Sequence, residues 1–391
     1  MKFDFDKVVD RRGTKCLKYD FAKERGRSDD MLPLWVADMD FQTAPGIQKS
    51  LSDAVAHGIY GYSEGKDDYF QAAAGWYEKH FGWKVEKEWL IKTPGVVFAL
   101  AMAVKAYTKE GDAVLLQQPV YYPFSEVITD NHRRLINSPL QQIDGHYEIN
   151  FEEFEQKIVE ENVKLFLMCS PHNPVGRVWK EWELRKIGDI CLKHNVLVVS
   201  DEIHSDFTYG ENIHHVFASL DEKYAAITTT CTAPSKTFNI AGLQISNIWI
   251  SNPELRARFR AEVTAAGYSQ VNLMGLVACQ AAYETGEEWL KELKIYLEGN
   301  LDYVRTFLKE NLPEIKLTEP EGTYLLWLDF KSLGMKEEQL KDLVENKAKL
   351  WLDSGAMFGP DGEGFERINI ACPREILKQA LTQLAESVHD R

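Results

Sequence analysis

No stretch of this sequence stays apolar for long. The longest unbroken run is Val96 to Val104, less than half of the roughly 20 residues a membrane-spanning helix needs. The opening "MKFDFDKVVDRRGTKC" has no apolar core, so no secretory signal is expected. Cysteine is sparse as well. Six cysteines are scattered over 391 residues without a CxxC pair, which argues against a disulfide framework and for reduced thiols in the cytoplasm. Cys169 with His172, and Cys191 with His194, have the offset of half a metal site. No second ligand pair follows, so the plainer reading is buried thiols near loop histidines, and no metal is expected. Positive charge is in deficit, with 45 Lys and Arg against 60 Asp and Glu, a net charge of −15. Nucleic acids and anionic membranes are therefore poor partners, although a local basic pocket could still hold a small anion. HExxH and GxSxG are missing, and "GPDGEG" (359–364) is not GxGxxG and follows no clean strand. Metallohydrolase, serine hydrolase and nucleotide-binding readings lack support.

What the chain does have is ordinary globular composition, 45% hydrophobic and 27% charged, at a length that suggests two to three domain-sized units. Its middle alternates strand-like and helix-like segments. "DAVLLQQP" (112–119), "VKLFLMCSPHNPVG" (163–176), "NVLVVSDEIH" (195–204) and "AAITTTCTAPSK" (225–236) are short β-rich runs that end in polar or turn residues. Helical patterns lie between them, as at 151–161 and 179–194. This alternation predicts an α/β layer fold with a mostly parallel sheet, buried on both faces. Ligands of such sheets bind beyond the carboxyl ends of the strands. From about Glu287 a long amphipathic helix (287–312), a strand-like "GTYLLWLDF" (322–330) and "ERINIACP" (366–373) predict a smaller α+β unit. The expected division is 1–45 as an N-terminal arm on the small domain, 46–286 as the large domain and 287–391 as the small one.

The strand exits hold the chemically suggestive residues. Lys236 sits in a small-residue turn, "CTAPSKTFNIAG" (231–242), where a lysine is unusual. Asp201 follows a buried strand, where an acid is costly without a cation; alone, a structural ion pair or cap would explain it. Asn173 lies in a Pro-rich turn closed by Gly176, and Tyr121 and Tyr122 lie between two prolines, both ordinary turn chemistry on their own. "TPGVVFALAMAVKAY" (93–107) opens a helix with uncommitted amides, a potential anion site.

Together, in this order, these segments resemble the fold-type I pyridoxal 5'-phosphate (PLP) enzymes of the class I/II aminotransferase group over essentially the whole chain. "LWVADMDF" (34–41), "YGYSEG" (60–65), "HNPVGRVW" (172–179), "SDEIHSDF" (200–207), "APSKTFNIAGLQ" (233–244) and "RINIACPR" (367–374) are similar to its cystathionine β-lyase, or cysteine–sulfur lyase, branch. The resemblance implies that Lys236 binds PLP covalently and moves the substrate Cα proton, with Tyr121 stacked on the ring as the other catalytic side chain. It implies that Asp201 pairs with the pyridine nitrogen, and that Asn173 and His204 face the ring hydroxyl. Many aminotransferases have tyrosine where His204 stands. The phosphate would rest on the amides of Val96 and Val97, the hydroxyls of Thr232 and Ser235, and Tyr62 from a second subunit. Many aminotransferases also carry an arginine eight residues after the lysine, where this chain has Gln244. Arg367, with the backbone of Ala37, Asn173 and Tyr122, would bind the substrate. A homodimer is implied, as is β-elimination on cystathionine or another S-substituted L-cysteine. An aminotransferase is the alternative, because Lys236, Asp201 and Arg367 serve both paths. A binding or regulatory protein on the same scaffold ranks lower, since Lys236 and Asp201 are both present.

Overall fold

The computed structural model describes residues 2–391. Seven strands form the central sheet: β1 (Leu90–Thr93), β2 (Ala113–Leu116), β3 (Arg134–Asn137), β4 (Val163–Cys169), β5 (Leu197–Asp201), β6 (Thr228–Thr232) and β7 (Ser246–Trp249). Their order is β1-β7-β6-β5-β4-β2-β3. All pairings are parallel except those of β7, which runs antiparallel to both β6 and β1.

Side-chain alternation divides each strand between two apolar layers. Leu165, Leu167 and Cys169 of β4 join Val114, Leu116 and Val199 beneath α1 (Val96–Tyr107) and α3 (Pro253–Ala265). Phe166 and Met168 join Ala113, Leu115 and Val198 on the other face, beneath α2 (Glu181–Lys193). Every residue of β2 and β6 is buried. The predicted α/β layer fold with a mostly parallel sheet is what forms.

Two further helices, α4 (Leu273–Thr285) and α5 (Glu287–Asn311), lead into a four-stranded antiparallel sheet of β8 (Lys316–Thr318), β9 (Leu325–Asp329), β10 (Asp353–Ser354) and β11 (Phe365–Asn369), ordered β8-β9-β11-β10. The chain closes with α6 (Arg374–His389). Leu293, Leu297 and Leu301 of α5 are buried with Leu377, Leu381 and Leu384 of α6 and with Leu326 and Leu328 of β9. None of the described helices is long and apolar enough to cross a membrane.

The N-terminal segment packs onto this second sheet region. Leu32–Pro33 pairs in parallel with Leu350–Trp351, and Trp35 stacks on Trp351 with centroids 4.5 Å apart and planes 12° apart. The Asp40 amide donates to Ala371 O at 2.9 Å. Lys18 is fully buried and donates to Asp40 at 2.8 Å, while Arg11 reaches the same carboxylate at 2.7 Å. Breaking a buried ion pair costs about 3–5 kcal/mol when the remaining charge is left alone. Here Arg11 still faces Asp40, so Lys18→Met is expected to cost less, roughly 2–3 kcal/mol. Chemical unfolding at neutral pH checks this, and an unchanged midpoint would show that the pair contributes nothing.

Candidate active site

The carboxyl ends of β2, β4, β5 and β6 converge on one cavity of about 430 Å³. Nine of the residues singled out from the sequence line it: Ala37, Val96, Val97, Tyr121, Asn173, Asp201, His204, Ser235 and Lys236. The loop after β4 is shaped by Gly176, whose φ of +74° places it in the left-handed region. A Cβ there would meet Pro320 at 2.9 Å, so glycine is required for the close approach of this loop to Pro320. The amide of Tyr121 donates to Asn173 O at 3.0 Å, joining two of the strand exits.

Lys236 follows Pro234 in a one-turn helix after β6. Its Nζ donates to Ala37 O at 2.6 Å. The segment carrying Ala37 is held there by two asparagines. Asn239 Nδ2 donates to Met39 O at 2.9 Å and Phe41 O at 2.8 Å, and Asn369 Nδ2 donates to Val36 O and Asp38 O at 2.6 Å each. Burial lowers the Lys236 ammonium to about 8. Asp38 and Asp201 pull it up and Arg367 pushes it down, but neither acid restores its ordinary value.

Asp201 ends β5, and one of its oxygens accepts from the Ile203 amide at 3.1 Å. Burial raises its carboxyl to about 7, against the opposing pull of that amide and of Lys236. An acid and an amine thus share one cavity, each with its charged form made less favourable. His204 is pushed down to about 3 by burial and by the positive fields of Lys236 and Arg367, so its ring is neutral at ordinary pH. Its Nδ1 is buried without a partner.

The opposite wall is the start of α1. Gly95 is extended and no side chain caps the helix, leaving the first-turn amides around Val96 and Val97 directed at whatever enters. Ser235 lies in the same cavity.

Thr232 is a correction. Its hydroxyl donates to Asn247 O at 2.8 Å and accepts from Trp249 Nε1 at 3.0 Å, so it is engaged inside the sheet and offers nothing to the cavity. Tyr62 is 92% exposed and stands apart from the cavity within this single chain. Arg367 and Tyr122 lie just outside its lining. Arg367 is buried, with Nη1 donating to Asn173 Oδ1 at 3.1 Å and Nη2 donating to Trp35 O at 2.8 Å and to the Asp353 carboxylate. Its Nε has no partner. The Tyr122 ring lies 5.0 Å from that of Tyr121.

Two residues were missed. Tyr324 donates to Ala37 O at 3.1 Å and sets its ring 5.8 Å from His204, and Asp353 pairs with Arg367. Both are ordinary strand or strand-flank residues far from the motifs, so spacing carried no signal for them.

The conserved-family model described as aminotransferase class I and II matches residues 30–384. Cystathionine beta-lyase PatB of Bacillus subtilis (strain 168) is 43% identical, covering 97% of this chain and 98% of the relative. Protein MalY of Escherichia coli (strain K12) is 33% identical over 99% of both chains. Among solved structures, cystalysin from Treponema denticola, described as containing a pyridoxal 5'-phosphate cofactor, superposes with a TM-score of 0.96 at 39% identity and full coverage of both chains.

The raised carboxyl of Asp201 makes a stability prediction. Between an unfolded value of 3.8 and a folded value of about 7, the folded state holds the proton that the unfolded state has lost, so stability falls as pH rises through that window. Asp201→Asn removes this loss. In the protein without bound ligand, its stability gain should be absent near pH 4, grow towards pH 7 and stay level above it. Its ceiling is about 4 kcal/mol. Thermal unfolding across pH measures it, and a pH-independent difference would contradict the assignment.

Proposed function

The chain belongs to the aminotransferase class I and II family, and from that premise we propose that it is a PLP-dependent carbon–sulfur lyase, cleaving cystathionine or related S-substituted L-cysteines to a thiol, pyruvate and ammonia. The observation that carries this reading is the pair of Lys236, half-buried, and Asp201, buried, in one cavity beside an uncapped helix start.

The cavity suits PLP residue by residue. Lys236 offers an amine whose proton leaves near neutral pH, as attachment to an aldehyde requires. Asp201 is a carboxylate in need of a cation, and a protonated pyridine nitrogen supplies one. Tyr121 provides an aromatic face. The amides of Val96 and Val97, with the Ser235 hydroxyl, provide donors for a phosphate. The unpartnered Nδ1 of His204 and the side chain of Asn173 lie on the remaining wall. PLP, when bound, supplies an electron sink for the carbanion formed at the substrate Cα.

The chain's own groups do the rest. Arg367, its fork already aimed by Asn173, Trp35 O and Asp353, receives the substrate α-carboxylate and so fixes which Cα bond faces Lys236. Lys236 takes the Cα proton, and its lowered affinity for protons lets it act as a base near neutral pH. With the β-carbon carrying a thiolate leaving group, the electron pair left at Cα expels it, and Lys236 can return the proton to sulfur.

The exposed run Ile59, Tyr60 and Tyr62 supports a homodimer in which Tyr62 of the partner subunit reaches the phosphate. The six free cysteines support a cytoplasmic enzyme. The arm at 1–45, whose Leu32–Pro33 pairs with Leu350–Trp351, and the change in sheet type after α5 support the division into arm, large domain (46–286) and small domain (287–391).

The purified holoenzyme should release pyruvate from L-cystathionine with no keto-acid acceptor present, and Lys236→Ala should lower this rate by at least about a thousandfold. A lactate dehydrogenase-coupled assay reads both. Consumption of L-cystathionine that requires an added keto acid and releases no pyruvate would make the enzyme an aminotransferase instead.

A further inference from the structure

A second cavity of about 440 Å³ adjoins the first. Arg367 marks the boundary, because Trp35 and Asp353, two of its hydrogen-bond partners, both line the second cavity. Tyr122 lines it too, with its ring against that of Tyr121 in the first. Its floor is apolar, the Trp35–Trp351 stack.

Its charges are unevenly matched. Arg27 pairs with Glu345 at 2.9 Å and Asp353 pairs with Arg367. Glu337 accepts from the Ser354 hydroxyl and from the Gly364 amide. Glu366 is buried among Glu337, Asp353 and Glu345, and burial with those neighbours drives it towards its neutral, protonated form. Two cations in the lining, Arg25 and Lys341, have no carboxylate partner within 4.0 Å among the described residues. Arg25 lies over the Trp35 ring, 5.2 Å from its centroid, and its charge acts on the Tyr122 phenol. The cavity therefore offers an apolar floor, a guanidinium held by an aromatic face, and, in Arg25 and Lys341, two exposed cations that no carboxylate engages.

A substrate whose α-carboxylate sits on Arg367 has one group free to extend past Tyr122, its sulfur substituent. We propose that the second cavity holds the far end of that substituent, where Arg25, supported by Lys341, binds a terminal carboxylate. The enzyme would then favour S-substituted cysteines that end in an acid, cystathionine among them, over those that end in an alkyl group. This rests on the β-elimination reading above and names the substrate class within it.

The test compares L-cystathionine with S-ethyl-L-cysteine, which has the same reacting atoms and no distal carboxylate. In the holoenzyme, Arg25→Met should lower kcat/KM for cystathionine roughly tenfold, chiefly through KM, as loss of one charge-assisted hydrogen bond implies. Turnover of S-ethyl-L-cysteine should change less than about twofold. Arg25→Lys should recover most of the loss, and Lys341→Met should show a smaller effect of the same selectivity. Equal losses on both substrates, or no loss on cystathionine in Arg25→Met and in the double variant with Lys341→Met, would overturn the proposal. Pyruvate from S-ethyl-L-cysteine in the unaltered enzyme shows that elimination itself stands, so such results would remove the distal site alone. Absence of pyruvate from both substrates would remove the elimination reading and the distal site together.

Discussion

The burial of one amine and one acid in the same cavity is the constraint around which the molecule is organised. Asp201 is buried and Lys236 half-buried, and desolvation is the largest influence on both. Neither arrangement favours folding. Buried ionisable groups held in this state concentrate where a protein does chemistry, and here they face each other across a space of ligand size. The same burial that destabilises their charged forms makes the amine available as a nucleophile and base. It also leaves the acid in search of a cation.

Holding these two groups in place requires distant parts of the chain. The parallel strands deliver Asp201, Asn173 and Tyr121 to one edge of the sheet, and β6 delivers Lys236 beside them. The segment 35–39 then crosses the cavity from the N-terminal region. It is fastened by Asn239 from the lysine loop, by Asn369 from the second sheet and by Arg367 next to it. That crossing accounts for Ala37 O meeting both Lys236 and Tyr324. A displacement of either sheet region would therefore be felt at the lysine amine, since one short segment connects them.

Much of this was legible in the residues. Continuous apolar runs marked β2, β4 and β5 because both faces of those strands are covered, and the helical period marked α5. The edge strand β1 and its neighbour β7 were not legible. Ser246 is buried and bonds Thr93 Oγ1 at 2.7 Å, and Asn247 accepts from Tyr69 at 2.7 Å, so polar residues satisfied only by tertiary partners broke the apolar pattern. Thr232 misled for a related reason. A hydroxyl on the last residue of the strand looks available in one dimension, but it is turned to Asn247 and Trp249 within the sheet. Tyr324 and Asp353 could not be found from spacing, because they meet the site only through the pairing of β9, β10 and β11. The charge-unbalanced cavity around Arg25 was equally hidden. Its walls come from the arm, from the loop after β2, from the helical segment 337–347 and from the second sheet, and only folding brings their charges together.

In the proposed function the half-buried amine of Lys236 carries the cofactor. Borohydride reduction of the holoenzyme, followed by proteolysis and mass spectrometry, tests it most directly. A pyridoxyl group fixed on the peptide containing Lys236, and on no other lysine, is the expected result. Attachment at a different lysine, or none after full saturation with cofactor, would contradict it.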